Sequence, residues 1–309
     1  MYILYDAASS WETDYIRNDI LAGIFARPDT RAFLLSTAEL ASLRDVASEH
    51  PLVGNCCIVF TSNHISSADI IAVAKTCRPH AIIHLSDEWG LHPEYLELAE
   101  LTPIYMRQYA HAGYSTYMHA AEHAAEHTAV PRQIPLGYMQ GMLGGQPSTT
   151  VIATQKKPAT RRYTWSFVGE LKQDRTEMLR TFLRELPTGH VTRGKTPQEM
   201  FAIYQDSLFV ISGRGNASLD CFRLYEATIA GAIPVVVGTE EELAATFHYG
   251  GDRPPFLYAT TWDDATRKCK EVLYDISRAE KIQDALRTWW CRQIQGAREA
   301  ASSNECTSM

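Results

Sequence analysis

LFVISGRGNASLDCFRLYEATIAGAIPVVVG, residues 208 to 238, reads as one complete α/β unit. LFVIS is an apolar run of strand length closed by a glycine turn. FRLYEATIA has helical spacing, Gly231 stops it, and Pro234 opens a second buried strand. At 100° per residue Phe222, Tyr225 and Ile229 share a face, and Glu226 projects only about 40° from Phe222. A carboxylate on that flank needs a specific partner. An intrahelical ion pair with Arg223 is the ordinary account, although an exposed pair belongs opposite the apolar face. The paired hydroxyls of a ligand, held by both carboxylate oxygens, are the functional account.

The turn carries the remaining signals of this unit. Gly213 and Gly215 let a backbone approach a ligand closely, and Ser218 is the expected N-cap of a helix start whose free N–H groups suit a phosphate. Many βα turns need glycine for geometry alone, however, and Asp220 in the first turn would compete with an anion.

The same alternation extends outward along the chain. Apolar runs at 2–5, 31–36, 56–60, 80–86 and 102–107 alternate with helical patterns near 13–25, 38–48, 66–75, 91–100 and 114–128. It resumes at 163–169, with a helix over 174–185, a strand at 190–192, a helix over 197–206 and a last strand at 255–260. Parallel βα units give this pattern. Residues 141–162, rich in Gly, Pro, Ser, Thr and basic side chains, read as a linker between domains 1–140 and 163–275. Residues 276–309 read as a C-terminal helix with a frayed tail. Two doubly wound domains place ligands at their strand ends.

Composition narrows the function. The 309 residues carry a net charge of −7, which argues against a nucleic-acid partner and an anionic membrane surface. Seven cysteines without a CxxC pair fit a reducing compartment. No run of eighteen apolar residues occurs, so no membrane segment is expected.

The segment GRGNASLDCFRLYEATIAGAIPVVVG resembles the donor site of the exostosin-like glycosyltransferases, glycosyltransferase family 47, and SFVGELKQDRTEMLRTFL (166–183) resembles the first strand and helix of that donor domain. HLSDEWG (84–90), YMRQY (105–109) and IPLGY (134–138) are similar to the ribitol-xylosyltransferase-like branch. The resemblance implies a GT-B fold, two Rossmann-like domains facing each other across a cleft, with the nucleotide sugar on the second and a glycan acceptor on the first. It implies that Glu226 holds the ribose hydroxyls, that Arg214 and Arg223 lie near the diphosphate or sugar, and that Arg175, Arg193 and Lys195 are further donor-site candidates. UDP-xylose is the first expectation for the donor. No DxD triplet occurs, so catalysis without a metal or other cofactor is expected, cations and a helix N-terminus matching the leaving diphosphate.

An inverting reaction of that kind needs one general base. Asp87 is the first candidate and Glu88 the second, both following a strand; the alternative is that they cap the next helix. His84 fits a hydrogen-bonded core position. Arg107 either reaches the donor phosphate or pairs with Asp87. Most relatives of that family carry an N-terminal anchor and stem, whereas no such segment is read in this sequence, so a cytoplasmic microbial or virus-encoded enzyme is expected, or a Golgi-lumen one if an anchor has been removed.

Two rival readings remain. HAAEHAAEH (119–127) places His119, His123 and His127 on one helical face with the HxxEH spacing of a zinc hydrolase, while a solvated alanine-rich helix would look the same. A fold of this class that binds nucleotide sugar or glycan without transferring anything is the non-enzymatic alternative. The Trp289, Trp290 and Tyr274 cluster reads as core packing, with sugar stacking as the alternative.

Overall fold

The computed structural model describes residues 1–6, 11–44, 46–61, 65–90, 92–110 and 132–302. The chain divides into two compact units: residues 1–135 together with the chain from Gln295 onward, and Leu136–Ile294.

Unit 1 is built on a parallel sheet of β1 (Tyr2–Asp6), β2 (Arg31–Leu35), β3 (Cys56–Thr61), β4 (Ala81–Leu85), β5 (Tyr105–Arg107) and β6 (Arg132–Gln133), in the order β2-β1-β3-β4-β5-β6. β3 and β4 are buried along their whole length, as apolar runs covered on both faces should be. Helix α1 (Thr37–Arg44) follows β2, and α2 (Ser67–Cys77) packs Ile70, Val73 and Ala74 into a core with Ile58, Phe60, Ile82 and Tyr105. Ser66 caps α2 by accepting from the Asp69 N–H. Two expected helices take other forms: 13–25 breaks into Thr13–Tyr15, a π-turn at Ile16–Ile20 and Ala22–Phe25, and 91–100 is a 3₁₀ stretch, Pro93–Glu100. The two-residue β6 has no periodicity to reveal it.

Unit 2 holds β7 (Tyr163–Val168), β8 (Gly189–Thr192), β9 (Ser207–Ser212), β10 (Ile233–Val237) and β11 (Leu257–Ala259), all parallel, in the order β11-β10-β9-β7-β8. After a single turn at Ser148–Val151, its longer helices include α3 (Arg175–Glu185), α4 (Pro197–Gln205), α5 (Phe222–Ala230), α6 (Glu240–Thr246) and α7 (Trp262–Tyr274). The sequence reading passed over α6 and α7. Both open on threonine caps: Thr239 with Glu242 forms a capping box, and Thr261 accepts from the Asp264 N–H.

Residues 141–162, expected as a linker, belong to unit 2 and are packed there. Met142, Leu143, Ser148 and Ile152 are buried. Arg161 donates to the carbonyls of Tyr204, Gln205 and Ser207 through Nη1, and to those of Lys156 and Ala230 through Nη2. Gln155 donates to Thr228 and Ile229 O. The polar side chains that suggested a solvated tether are therefore caps for the carbonyl ends of α4 and α5. Burial pushes the Arg161 guanidinium down to about 10, against the attraction of Asp206. Gly231 closes α5 in a left-handed conformation (φ 77°), with Ala232 N–H bonded to Ala227 O and Gly231 N–H to Thr228 O, a Schellman arrangement. A Cβ there would also lie 2.6 Å from Arg161 Nη2, so only glycine admits the caps.

Helix α8 (Ile276–Ser302) begins in unit 2 and enters unit 1 at Gln295. Within unit 2, Trp289 and Trp290 are buried, with Trp290 Nε1 donating to Ser148 Oγ. Tyr274 is 93% exposed, so it stands apart from the aromatic cluster to which it was assigned. Within unit 1, Arg298 pairs with buried Asp19 at 3.1 Å, Arg132 donates to Gly296 O, and the His80 ring meets Ala301 O. No helix among the described residues is long and apolar enough to cross a membrane.

Candidate functional site

In unit 2 the strand order reverses between β7 and β9, the place where an α/β sheet opens a crevice at its carboxyl ends. Arg223, in the first turn of α5, sits at that point. Its Nε donates to Val168 O at the end of β7, and its Nη1 lies 3.4 Å from Ser212 Oγ at the end of β9. The guanidinium lies over the Phe167 ring, 4.9 Å from its centroid. Gly169 leaves room for it: a Cβ there would come within 2.8 Å of Arg223 Nη2.

Glu226 is one turn further along α5 and 1% exposed. Arg223 and Glu226 form no ion pair among the described residues; the arginine is turned to the strand ends instead. One carboxylate oxygen, Oε1, accepts from Met139 N–H at 3.3 Å. Burial pushes the Glu226 carboxyl up to about 7, opposed by the attraction of Arg223 and by the Met139 hydrogen bond. Tyr204 of α4 lies close to both side chains, and burial pushes its phenol up as well. The sequence pattern carries no sign of Met139 or Tyr204, because their approach depends on tertiary packing.

The turn between β9 and α5 differs from expectation. α5 begins at Phe222 with Cys221 as its cap residue, so Ser218 lies outside the helix, where its hydroxyl accepts from Asp220 N–H. The reason is Asp220, which is buried and accepts from Tyr225 OH, itself joined to Tyr249 OH, and this inward anchor delays the helix. The carboxylate thus points into the core instead of competing with an anion. The Gly215 N–H bonds Ser218 O within the turn. A Cβ at Gly213 would meet Arg175 Cγ at 2.6 Å, so that glycine serves the approach of α3.

Other expected donor-site cations are distributed differently. Arg175 is buried and joins two loops, donating to Glu170 O and Arg214 O. The Arg214 side chain pairs with Glu242 at 2.6 Å. Arg193 is exposed, 3.8 Å from Glu170, and Lys195 pairs with Glu199 one turn on.

The carboxyl ends of the unit 1 strands hold a second polar group. Arg107 Nη2 bonds Asp87 Oδ2 at 2.8 Å with both side chains buried, and Asp87 Oδ1 accepts from Gly90 N–H. Of the two roles weighed for Arg107, the structure has the pairing. The next helical stretch is entered through His92, so neither Asp87 nor the half-buried Glu88 caps it. His84 is a buried core histidine joined to Tyr105 OH. Sequence reasoning missed Glu12, 1% exposed, which accepts from Ser86 Oγ at 2.7 Å and is pushed by burial up to about 7. Its only sequence cue was its place in the connection that follows β1, as Asp87 lies in the connection that follows β4. The HAAEHAAEH segment and its three histidines lie outside the described residues.

Comparison with solved structures gives the fold its class. The chain matches an α-glucosyltransferase solved in complex with UDP and a 13-mer DNA containing an HMU base, with a TM-score of 0.54 and 11% identity, over 98% of this chain and 100% of that one. It also matches an α-glucosyltransferase in complex with UDP-glucose and DNA containing an abasic site, with a TM-score of 0.53 and 11% identity, over 94% and 95% of the two chains. No family model and no curated protein sequence matches the chain. The fold is GT-B, with two Rossmann-like domains of parallel strands.

Proposed function

We propose that this protein is an inverting glycosyltransferase that moves a sugar from UDP to a hydroxyl of a glycan acceptor, without a metal ion, and that it is a cytoplasmic member of the exostosin-like group. The observation that carries the reading is Glu226: a carboxylate buried at a Rossmann-like ligand crevice, with a single backbone N–H as its hydrogen-bond donor among the described residues. A vicinal diol offers it two further donors, which is what a ribose presents. The two solved neighbours hold UDP and UDP-glucose, in line with this donor class.

In this reading Glu226 accepts the ribose hydroxyls, and Arg223 with the N-terminus of α5 faces the diphosphate at the ends of β7 and β9. As the bond from the anomeric carbon to the diphosphate breaks, charge grows on the leaving oxygen and the guanidinium stabilises it. The proton of the acceptor hydroxyl passes to a carboxylate of unit 1, drawn from Asp87, Glu88 and Glu12. Xylose is the first choice of sugar, following the ribitol-xylosyltransferase-like segments.

Charge separates the acceptor classes. Unit 1 contains 18 acidic against 9 basic residues, whereas unit 2 contains 18 against 20. A polyanion such as DNA is repelled by the first balance, and a nucleotide is compatible with the second. An uncharged glycan suits unit 1.

Thermal shift with UDP, UDP-xylose, UDP-glucose, GDP and ADP tests the donor. Uridine nucleotides should raise Tm, and Glu226→Ala should remove the rise. Absence of any shift, or an equal shift in the variant, overturns the reading.

A further inference from the structure

Four of the six tryptophans, Trp165, Trp262, Trp289 and Trp290, are buried in unit 2. The other two, in unit 1, are both exposed: Trp11 at 59% and Trp89 at 58%. Each adjoins the polar group at the strand ends. Trp11 precedes Glu12, Trp89 follows Asp87 and Glu88, and the hydrogen bond from Ser86 Oγ to Glu12 joins the two segments across 74 residues of chain. Exposed indole is expensive to leave in water, and two of them placed by the chain beside that polar group are suited to the flat apolar face of a sugar ring.

The backbone at Ser86 supports the same assignment. Its φ is 58°, a left-handed conformation that a serine adopts only at a steric cost. The Ser86 N–H donates to Oε1 of fully buried Gln108 at 2.8 Å, which holds the residue there and turns its hydroxyl onto Glu12. Glu12 is buried while Ser86 is half-buried, so the serine is the member of the pair open to a ligand. No charged side chain among the described residues fixes the charge of Glu12, whereas Arg107 is bonded directly to Asp87.

We propose that Trp11 and Trp89 form, with Ser86 and Glu12, an acceptor subsite for an uncharged saccharide ring, in which Ser86 takes the proton of the acceptor hydroxyl and passes its own to Glu12. The proposal rests on the transferase reading above. The acceptor O–H bond breaks as its proton moves to Ser86 Oγ, and the Ser86 proton moves to Glu12 Oε1. The acceptor oxygen forms its bond to the donor's anomeric carbon, and the electron pair of the broken bond to diphosphate leaves with UDP. The acidic balance of unit 1 selects neutral saccharides over nucleic acid.

The full-length protein labelled with 5-fluorotryptophan gives one ¹⁹F signal per indole, with Trp11 and Trp89 assigned from Trp11→Phe and Trp89→Phe. Titration with xylobiose, cellobiose and lactose, in the presence of UDP, should shift those two signals saturably and leave the four buried ones in place. Movement of the buried signals alone, or no movement with any of the three sugars, overturns the subsite. So does a shift caused by a DNA duplex and not by the sugars. A UDP thermal shift recorded on the same sample reports separately on the donor reading, so the two failures are distinguishable.

With a saccharide that binds, Trp11→Ala and Trp89→Ala should each raise the acceptor KM about fivefold and leave the donor KM unchanged. Glu12→Gln should lower kcat at least about 10²-fold with little change in acceptor KM, and Glu12→Asp, which keeps a carboxylate, should recover part of it. Full kcat in Glu12→Gln refutes the proton path.

Discussion

Each unit buries one glutamate at the carboxyl end of its sheet, and the two differ in what surrounds them. Glu226 has a cation one turn away and a backbone N–H on one oxygen; Glu12 has a neutral serine hydroxyl and, among the described residues, no cation acting on it. Burial pushes both carboxyls up to about 7, opposed at Glu226 by the attraction of Arg223 and the Met139 hydrogen bond and at Glu12 by the Ser86 hydroxyl. A carboxylate meant to accept hydrogen bonds from a ligand gains from a nearby cation, whereas one meant to take up and release a proton is better without it. The same difference separates Asp87, held by Arg107, from Glu12 among the acids of unit 1.

The harshest way to break this contrast is Asp87→Asn. It removes the carboxylate charge bonded to the buried Arg107 and should cost about 3–5 kcal/mol in unfolding free energy, read by urea denaturation. A loss below about 1 kcal/mol would mean that the pair is solvated and that Asp87 is available for other work. Next in size, Glu226→Ala should weaken UDP binding about 10²-fold by calorimetry, while Glu12→Ala changes it less than about twofold. Equal losses in both would erase the distinction between the two glutamates.

Stability should move the opposite way. Both carboxyls are raised from 4.5, so the folded protein holds protons that the unfolded chain releases, and stability falls as pH rises from about 4.5 to about 7. The stabilisation from the protonated forms is complete below about 4.5 and lost above about 7. Glu226→Gln should therefore raise the stability of the unliganded protein at pH 8 by about 1–3 kcal/mol, even as it harms nucleotide binding. Equal Tm values for variant and parent at pH 8 would show that the side chain is better solvated than its burial indicates. The smallest effect belongs to Arg193→Ala, an exposed cation, which should cost less than about 0.5 kcal/mol and alter donor KM less than about threefold.

Much of this fold was legible because buried parallel strands are short apolar runs, and β3, β4, β9 and β10 announce themselves. Helix α5 and its glycine stop were equally plain, and the unease over Glu226 was justified by its burial. The helix start was misread because Ser218 has the chemistry of a cap, while the anchoring of Asp220 by Tyr225 is a contact made through the fold. The supposed linker was misread for a related reason: Arg161 and Gln155 are polar because the helix ends they cap are polar, a demand no local composition exposes. Glu12 escaped notice because one acid after one short strand is unremarkable until Ser86 arrives from far along the chain.

Helix α8 has a consequence for truncation. Unit 2 is one continuous stretch, 136–294, whereas unit 1 lacks its final piece until Arg298 and Ala301 emerge to meet Asp19 and His80. The downstream unit holds all of its own elements without those last turns, whereas the unit made earlier is incomplete until they are supplied. A released chain ending at residue 294 should therefore resist protease over 136–294 and remain susceptible over 1–135.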